Sequence, residues 1–383
     1  MNLKKLPPGI DISKIDAGYI KELRRKIRAE TTKCLFGIDK AADLLTECLF
    51  MLVPYDDSIT NTKLAGQPHI MFKGGTGIGK TGLAKSIAGS LRGVFRRIQA
   101  TPDMLPYDIL GAPVLVENLK GERRVQLKPG PIFANIVLLD EANRMHPKTK
   151  SALLEALEER SATPKNEYID DEDKVIETLP LFPLSGDYQD MISPRFFWVL
   201  LTENIFGEEE GTYTNPMAEI DRITLTIPID RPTFEEEKKI RADNVLGLSI
   251  EPVSNLQEVL NCSYWVNQNV KFSSVANDYL TLLLRNTDPS PKVTDPKSKI
   301  GKYLKEYVKV GASQRVNFHL EAVARAHAFF SDESLVVRPE HIKDISRNVI
   351  THRLLLTPGK EFQTSKEEVL EEILRLTGIP KWT

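Results

Sequence analysis

The chain has 383 residues, enough for two domains, with 41% hydrophobic and 27% charged residues, the balance of an ordinary globular protein. Its net charge of −2 supplies no global basic field for nucleic acid, and its longest apolar runs, such as residues 196–201, fall far short of the roughly 18 residues a membrane span needs. Cys34, Cys48 and Cys262 are widely spaced, which argues for reduced thiols over a disulfide frame. The six histidines form no H-x-x-x-H pair with an acid between, so no catalytic zinc is expected; the reduced thiols and the lack of an apolar targeting region in the first residues make the cytoplasm the expected compartment.

In chain order, residues 1–30 open with a proline-containing lead and a helix that aligns Ile20, Leu23 and Ile27 on one face. Leu35-Phe36-Gly37-Ile38-Asp39 follows, then an apolar helix over 41–53 and a polar, loop-like stretch over 54–66. From His69 onward strands and helices alternate, which predicts a parallel sheet covered on both faces, with strands at 69–72, 95–99, 136–139, 196–201 and 224–228.

The first of these strands runs into Gly74-Gly75-Thr76-Gly77-Ile78-Gly79-Lys80-Thr81, which fits G-x-x-x-x-G-K-[ST]. A helix follows, with Leu83, Ala84, Ile87, Ala88 and Leu91 on one face. Strand, glycine turn and helix is the setting a phosphate-binding loop requires. Backbone N–H groups and the helix N-terminus receive the anion, Lys80 reaches the β and γ phosphates, and the Thr81 hydroxyl ligates Mg²⁺. Residues 134–141 form an apolar run ending in Asp140 and Glu141, a buried strand that delivers two carboxylates at its C-terminal edge. Asp140 would hold Mg²⁺ through its water shell, and Glu141 would orient and deprotonate the attacking water.

Two segments interrupt the alternation. Residues 114–127 alternate around a Lys-Gly turn and predict a β-hairpin; residues 161–194, with the acidic run 170–173 and several prolines, predict a long projecting loop or hairpin. After Asp230-Arg231-Pro232 the pattern becomes helical, over 234–244, 256–265, 275–285, 302–310, 314–330, 339–353 and 366–376, with no strand expected after Pro228.

These elements resemble the MoxR family of AAA+ ATPases, from Phe36 to about Arg353. Beyond the phosphate loop, the likeness rests on residues 101–111 (TPDMLPYDILG), 130–144 (GPIFANIVLLDEANR) and 148–159 (KTKSALLEALEE). It implies an AAA+ P-loop NTPase core over 31–231, a parallel sheet between helices with inserts near 114–127 and 161–194. An N-terminal helical extension (1–30) would precede it and an all-helical lid (232–383) would follow.

The resemblance also implies roles. Phe36, Gly37, Gly74, Thr76, Gly77, Ile78, Gly79, Lys80, Thr81 and Gly82 would bind ATP, and Thr81 and Asp140 would hold Mg²⁺. Asn204, in Thr202-Glu203-Asn204, matches the sensor-1 position that helps hold the attacking water beside Glu141. Arg222 matches the arginine finger that reaches a neighbouring subunit's nucleotide, and Arg315, in Gly311-Ala312-Ser313-Gln314-Arg315, matches sensor 2, pointing at the phosphates of its own chain. Ile205 and Gln314 stand where the family usually has proline.

The function implied is ATP hydrolysis by a ring, a hexamer, that remodels or matures a protein client with a separately encoded von Willebrand factor A domain partner. A nucleic-acid motor is the alternative, for which Lys120, Arg123, Arg124 and Lys128 would line the insert tip. A nucleotide-gated scaffold is a third reading, and the presence of both Glu141 and Arg222 argues against it.

Overall fold

A computed structural model describes residues 6–7, 9–57, 62–117, 123–162, 168–169, 175–176, 179–181, 196–204, 220–242 and 249–379. Helices α1 (Ala17–Thr32) and α2 (Asp39–Cys48) lead into a hairpin of β1 (Val53–Asp57) and β2 (Thr62–Gly66). Next come β3 (Ile70–Gly74), α3 (Lys80–Gly89), β4 (Phe95–Gln99), α4 (Pro106–Leu110) and a second hairpin, β5 (Gly111–Glu117) with β6 (Arg123–Pro129). They are followed by β7 (Ile136–Asp140), α5 (Pro147–Glu159), β8 (Trp198–Asn204) and β9 (Leu225–Pro228).

Five strands pair in the order β9-β3-β8-β7-β4, all parallel. Strands buried on both faces must be apolar throughout, and every residue of β7 is buried. Side chains alternate between two cores. Ile70, Phe72, Ile136, Leu138, Trp198 and Leu200 face one cluster, which α1, α2 and α3 cover through Ile20, Leu45 and Leu83; Met71, Val137, Leu139, Val199 and Leu201 face the other, covered by Ile109 of α4 and Leu153 of α5.

The remaining chain is helical: α6 (Phe234–Ala242), α7 (Leu256–Asn269), α8 (Ser274–Arg285), α9 (Lys299–Tyr307), α10 (Val316–Ser331), α11 (Pro339–Ile350) and α12 (Lys366–Thr377). This helical lid continues the first core, to which it adds Leu320, Val323, Ile342 and Ile345. It also covers the sheet edge: Asn348 Nδ2 donates to Thr226 O of β9 at 2.9 Å, and the buried Arg353 donates to Thr224 O at 3.2 Å. No helix among the described residues is long and apolar enough to cross a membrane.

The structure corrects several local expectations. Residues 54–57 and 62–66, expected as loop, are strands of the β1–β2 hairpin, paired from Val53↔Gly66 to Asp57↔Thr62. Its few apolar positions, Tyr55 and Ala65, turn inward while Asp56 and Lys63 face water, so composition conceals the strands. The helix expected over 41–53 ends at Cys48. Short strands do occur after Pro228, Lys271–Phe272 against Val336–Val337 and Val308–Val310 against Leu355–Leu356; the second pair ends α9 at Tyr307, inside the helix expected over 302–310.

Hairpin β5–β6 occupies the first insert, and its tip, including Lys120, lies outside the described residues. In the second insert, Ser161–Ala162 pairs antiparallel with Leu179–Pro180, and Tyr168–Ile169 with Val175–Ile176; the acidic run 170–173 lies outside the described residues.

Candidate active site

The loop after β3 folds as its glycines demand. A Cβ on Gly74 would sit 2.3 Å from Ile78 Cδ1 and 2.4 Å from Ile229 O, so a side chain would force the turn open. Gly77 and Gly79 take φ of 75° and 95°, which glycine adopts without a Cβ penalty. The turn delivers Lys80 to the start of α3, where its buried ammonium donates to Gly74 O at 2.8 Å, Gly75 O at 2.6 Å and Asn204 Oδ1 at 2.7 Å. Burial pushes the Lys80 pKa down, against the opposing pull of Asp140 and Glu141. A cation at the N-terminus of a helix that follows a glycine-rich turn is a receptor for an anion.

Parallel pairing brings the acids to the same edge. Asp140 ends β7 with 4% of its surface exposed, and its carboxylate accepts from Thr81 Oγ1 at 3.0 Å and Thr202 Oγ1 at 2.5 Å. Arg97 of β4 adds two bonds to Asp140 Oδ2, from Nε at 3.0 Å and Nη2 at 2.7 Å. Burial alone would raise the Asp140 pKa; the bonds from Thr202, Arg97 and Thr81 outweigh it and hold the carboxyl below its usual value. A buried carboxylate beside a threonine hydroxyl is a hard-oxygen pair that suits Mg²⁺ completed by phosphate and water.

Glu141 follows in a left-handed conformation, φ 55° and ψ 47°, an uncommon backbone for a non-glycine residue. Its N–H donates to Thr202 Oγ1 at 2.9 Å, and its carboxylate accepts from Arg144 Nη1 at 2.9 Å. Thr202 therefore fixes both acids at once.

Phe36 lies in the chain between Leu35, which approaches Gly82, and Gly37. Gly37 has φ +74°, and a Cβ there would meet Glu236 Oε2 at 3.0 Å and Pro232 Cβ at 3.3 Å; Leu35 stands 3.3 Å from the position of a Cβ on Gly82. The 35–37 segment thus bridges the first turn of α3 and the start of α6.

Arg222 and Arg315 are elsewhere. Arg222 Nε donates to Glu158 Oε2 at 2.9 Å, and Arg315 Nη2 pairs with Glu158 Oε1. Glu158 sits in the last turn of α5, and a cavity there is lined by His69, Glu158, Arg160, Arg222, Arg315 and His319. His69 precedes β3 while Gly74 ends it, so this is the opposite edge of the sheet, a strand length of roughly 16 Å from the phosphate loop. Arg315, expected to point at its own chain's phosphates, thus stands beside Glu158 at the edge opposite Lys80. Its helix α10 begins at the edge where strands start, anchored by Ser313 Oγ donating to Asp221 Oδ1 at 2.7 Å.

The structure joins Gly74, Gly77, Gly79, Lys80, Thr81, Asp140, Glu141 and Asn204 at one edge and Arg222 with Arg315 at the other. Sequence reasoning missed Arg97, Thr202, Arg144 and Glu158. Thr202 and Arg144 lay within the motifs of Asn204 and Glu141; Arg97 carries no signal beyond being a charge in a sheet strand. Residues 205–219, which include Ile205 and part of the stretch ascribed to the arginine finger, lie outside the described residues.

The chain is similar to known proteins over most of its length. The family described as "ATPase family associated with various cellular activities (AAA)" matches residues 69–189, and the AAA lid domain matches 302–373. The Bacillus subtilis protein YeaC, itself uncharacterised, is 30% identical over 323 residues, 83% of this chain and 87% of that one. Chaperone MoxR1 of Mycobacterium tuberculosis is 29% identical over 83% of this chain and 76% of its own, and MoxR of Methylorubrum extorquens is 24% identical over 93% of each. A crystal structure from Cytophaga hutchinsonii, of a protein assigned as an ATPase, superposes with a TM-score of 0.73 at 27% identity, covering 95% of this chain and 97% of that one.

Proposed function

The chain belongs to the MoxR family of AAA+ ATPases, and from that premise we propose that it hydrolyses Mg²⁺-ATP as a ring, a hexamer, and acts chaperone-like on a protein client. One observation carries the ring: in a single chain Arg222 and Arg315 lie at the sheet edge opposite Lys80, so the nucleotide that these two arginines can meet is one held by another subunit. Both arginines, not Arg222 alone, then serve a neighbour's site.

Within a subunit, Lys80 exchanges its three oxygen partners for phosphate oxygens, and the loop N–H groups orient the phosphate chain. Bound at Thr81 and Asp140, Mg²⁺ would neutralise phosphate charge. Glu141 takes a proton from water that Asn204 helps to hold, and the neighbour's arginines stabilise the charge that develops. A cytoplasmic setting and a partner carrying a von Willebrand factor A domain complete the reading. The nucleic-acid alternative is weaker, because Arg123 on the insert is paired with Glu117 at 3.2 Å and the chain is net acidic.

Mixing two inactive variants tests this. Arg222→Ala retains Glu141 but offers no finger, and Glu141→Gln offers a finger but no base. Some mixed interfaces pair an intact Glu141 with an intact Arg222, so ATPase activity returns on mixing. A mixture no more active than the sum of its parts, with specific activity independent of protein concentration, would show that one chain completes its own site.

A further inference from the structure

Glu158 is the counter-charge between the two arginines, and nothing in the motifs assigns it a task. Its two oxygens are divided: Oε2 accepts from Arg222 Nε at 2.9 Å and from Arg222 Nη2, while Oε1 accepts from Arg315 Nη2. Arg222 is the more enclosed partner, with 17% of its side chain exposed against 43% for Arg315, and Glu158 itself is 30% exposed. Two guanidiniums this close repel one another, and a shared carboxylate removes the repulsion. Among the described residues Asp221 also flanks the arrangement: Arg315 Nε lies 4.0 Å from it, and Arg353 Nε 3.5 Å from the same carboxylate.

We propose that Glu158 is an internal surrogate for the neighbour's triphosphate, a positioning residue that keeps Arg222 and Arg315 side by side in the unassembled subunit and yields them to an ATP-loaded neighbour. A carboxylate bridging two guanidiniums imitates the anion they are to receive. It carries one negative charge, so the terminal phosphate of ATP displaces it, whereas ADP presents no γ-phosphate to these arginines and displaces it poorly. Glu158 therefore sets how strongly assembly discriminates between the two nucleotides. Its position adds a link to the subunit's own site, because α5, 13 residues and about 20 Å long, starts six residues after Glu141 and ends beside the pair of arginines.

This inference rests on the inter-subunit reading, and the experiment separates the two. Assembly is followed by sedimentation across protein concentration, with ATP in a Glu141→Gln background and with ADP. Glu158→Gln keeps the side chain's size and removes its charge. It lowers the concentration for half-assembly by roughly three- to tenfold, more with ATP, which must displace the carboxylate, than with ADP, and leaves nucleotide affinity of the isolated subunit unchanged. Glu158→Asp, one methylene short of spanning both arginines, falls between. In an Arg222→Ala/Arg315→Ala background Glu158→Gln changes nothing. Assembly by Glu158→Gln that equals wild type, weakens, or improves equally with both nucleotides overturns the surrogate role, as does an effect that persists without the arginines. If the double arginine variant itself assembles and hydrolyses normally, the inter-subunit reading fails, and this inference with it.

Discussion

Arg144 Nη1 lies 2.9 Å from Glu141 Oε2, three residues along the same chain, and ties the carboxylate proposed as the general base to a guanidinium on the turn leading into α5. Glu141 carries a left-handed backbone as well, so both its main chain and its side chain are held. The pair is partly exposed, and such pairs contribute only about 0.3–1 kcal/mol. A restraint of that size can be released by small shifts when nucleotide binds.

Arg144→Ala should therefore free the carboxylate and raise basal turnover about two- to fourfold at saturating ATP, with nucleotide affinity unchanged. Steady-state hydrolysis alongside a direct binding titration checks this. A fall in turnover at equal affinity would mean that Arg144 positions Glu141 for the reaction and does not hold it back.

Arg97 competes for the carboxylate that a metal would use. In Arg97→Gln, Asp140 keeps its bonds from Thr81 and Thr202 but loses a cation, so the nucleotide-free protein should melt earlier by a few degrees. Addition of Mg²⁺-ADP should raise its melting temperature by more than it raises that of the wild type, and half-saturation should occur at lower Mg²⁺. Thermal scans over a Mg²⁺ series read both effects, and an unchanged metal dependence would remove Arg97 from the site.

At the opposite edge Arg160 is 1% exposed and holds the β1–β2 hairpin onto the sheet. It donates to Gln67 O and Phe197 O and lies 4.7 Å over the Tyr55 ring, and burial lowers its pKa to about 10. Arg160→Met strands two carbonyl acceptors and should cost about 2–4 kcal/mol, read as a lower midpoint in urea with an unchanged slope. Gly66→Ala should also destabilise, because its Cβ would fall 2.9 Å from Arg160 Cζ.

Stability should fall on acidification below pH 6.5. His69, His319 and His352 are buried, and desolvation, aided by Arg160 at the first and Arg353 at the other two, holds each well below the usual 6.5. Below that value the unfolded chain binds protons that the folded chain refuses, so each group removes up to about 1.4 kcal/mol per pH unit. His327 acts in the opposite sense. Burial would lower its pKa, but Glu47 and Asp344 raise it, so its contribution is complete below 6.5 and is lost as pH rises through the raised value. Three against one predicts a lower melting temperature at pH 5.5 than at 7.0; the reverse order would rule out the buried neutral histidines.

What the sequence discloses and what it conceals follow from how far apart the cooperating residues lie. Lys80, Thr81, Asp140 and Glu141 each belong to an uninterrupted strand-and-turn motif, so chemistry and setting are read together. Thr202 and Arg97 reach Asp140 only because β8 and β4 flank β7 in register, and neighbouring strands are not adjacent in sequence. Arg315 shows the limit most clearly. Its motif identifies a helix start, but which edge of the sheet that helix meets is decided by packing. The β1–β2 hairpin escaped for a different reason, since charged outward residues give a strand the composition of a loop.

The lid and the ATPase sheet share one continuous core, in which Ile70 and Phe72 belong with Leu320 and Ile342. Parting them would expose apolar surface on both sides, so within a subunit they have the character of a single lever and not of a jaw that opens. In the proposed ring, any stroke driven by nucleotide turnover is then a tilt of whole subunits against one another, and its fulcrum would be the seam where one chain's arginines face the next chain's phosphates.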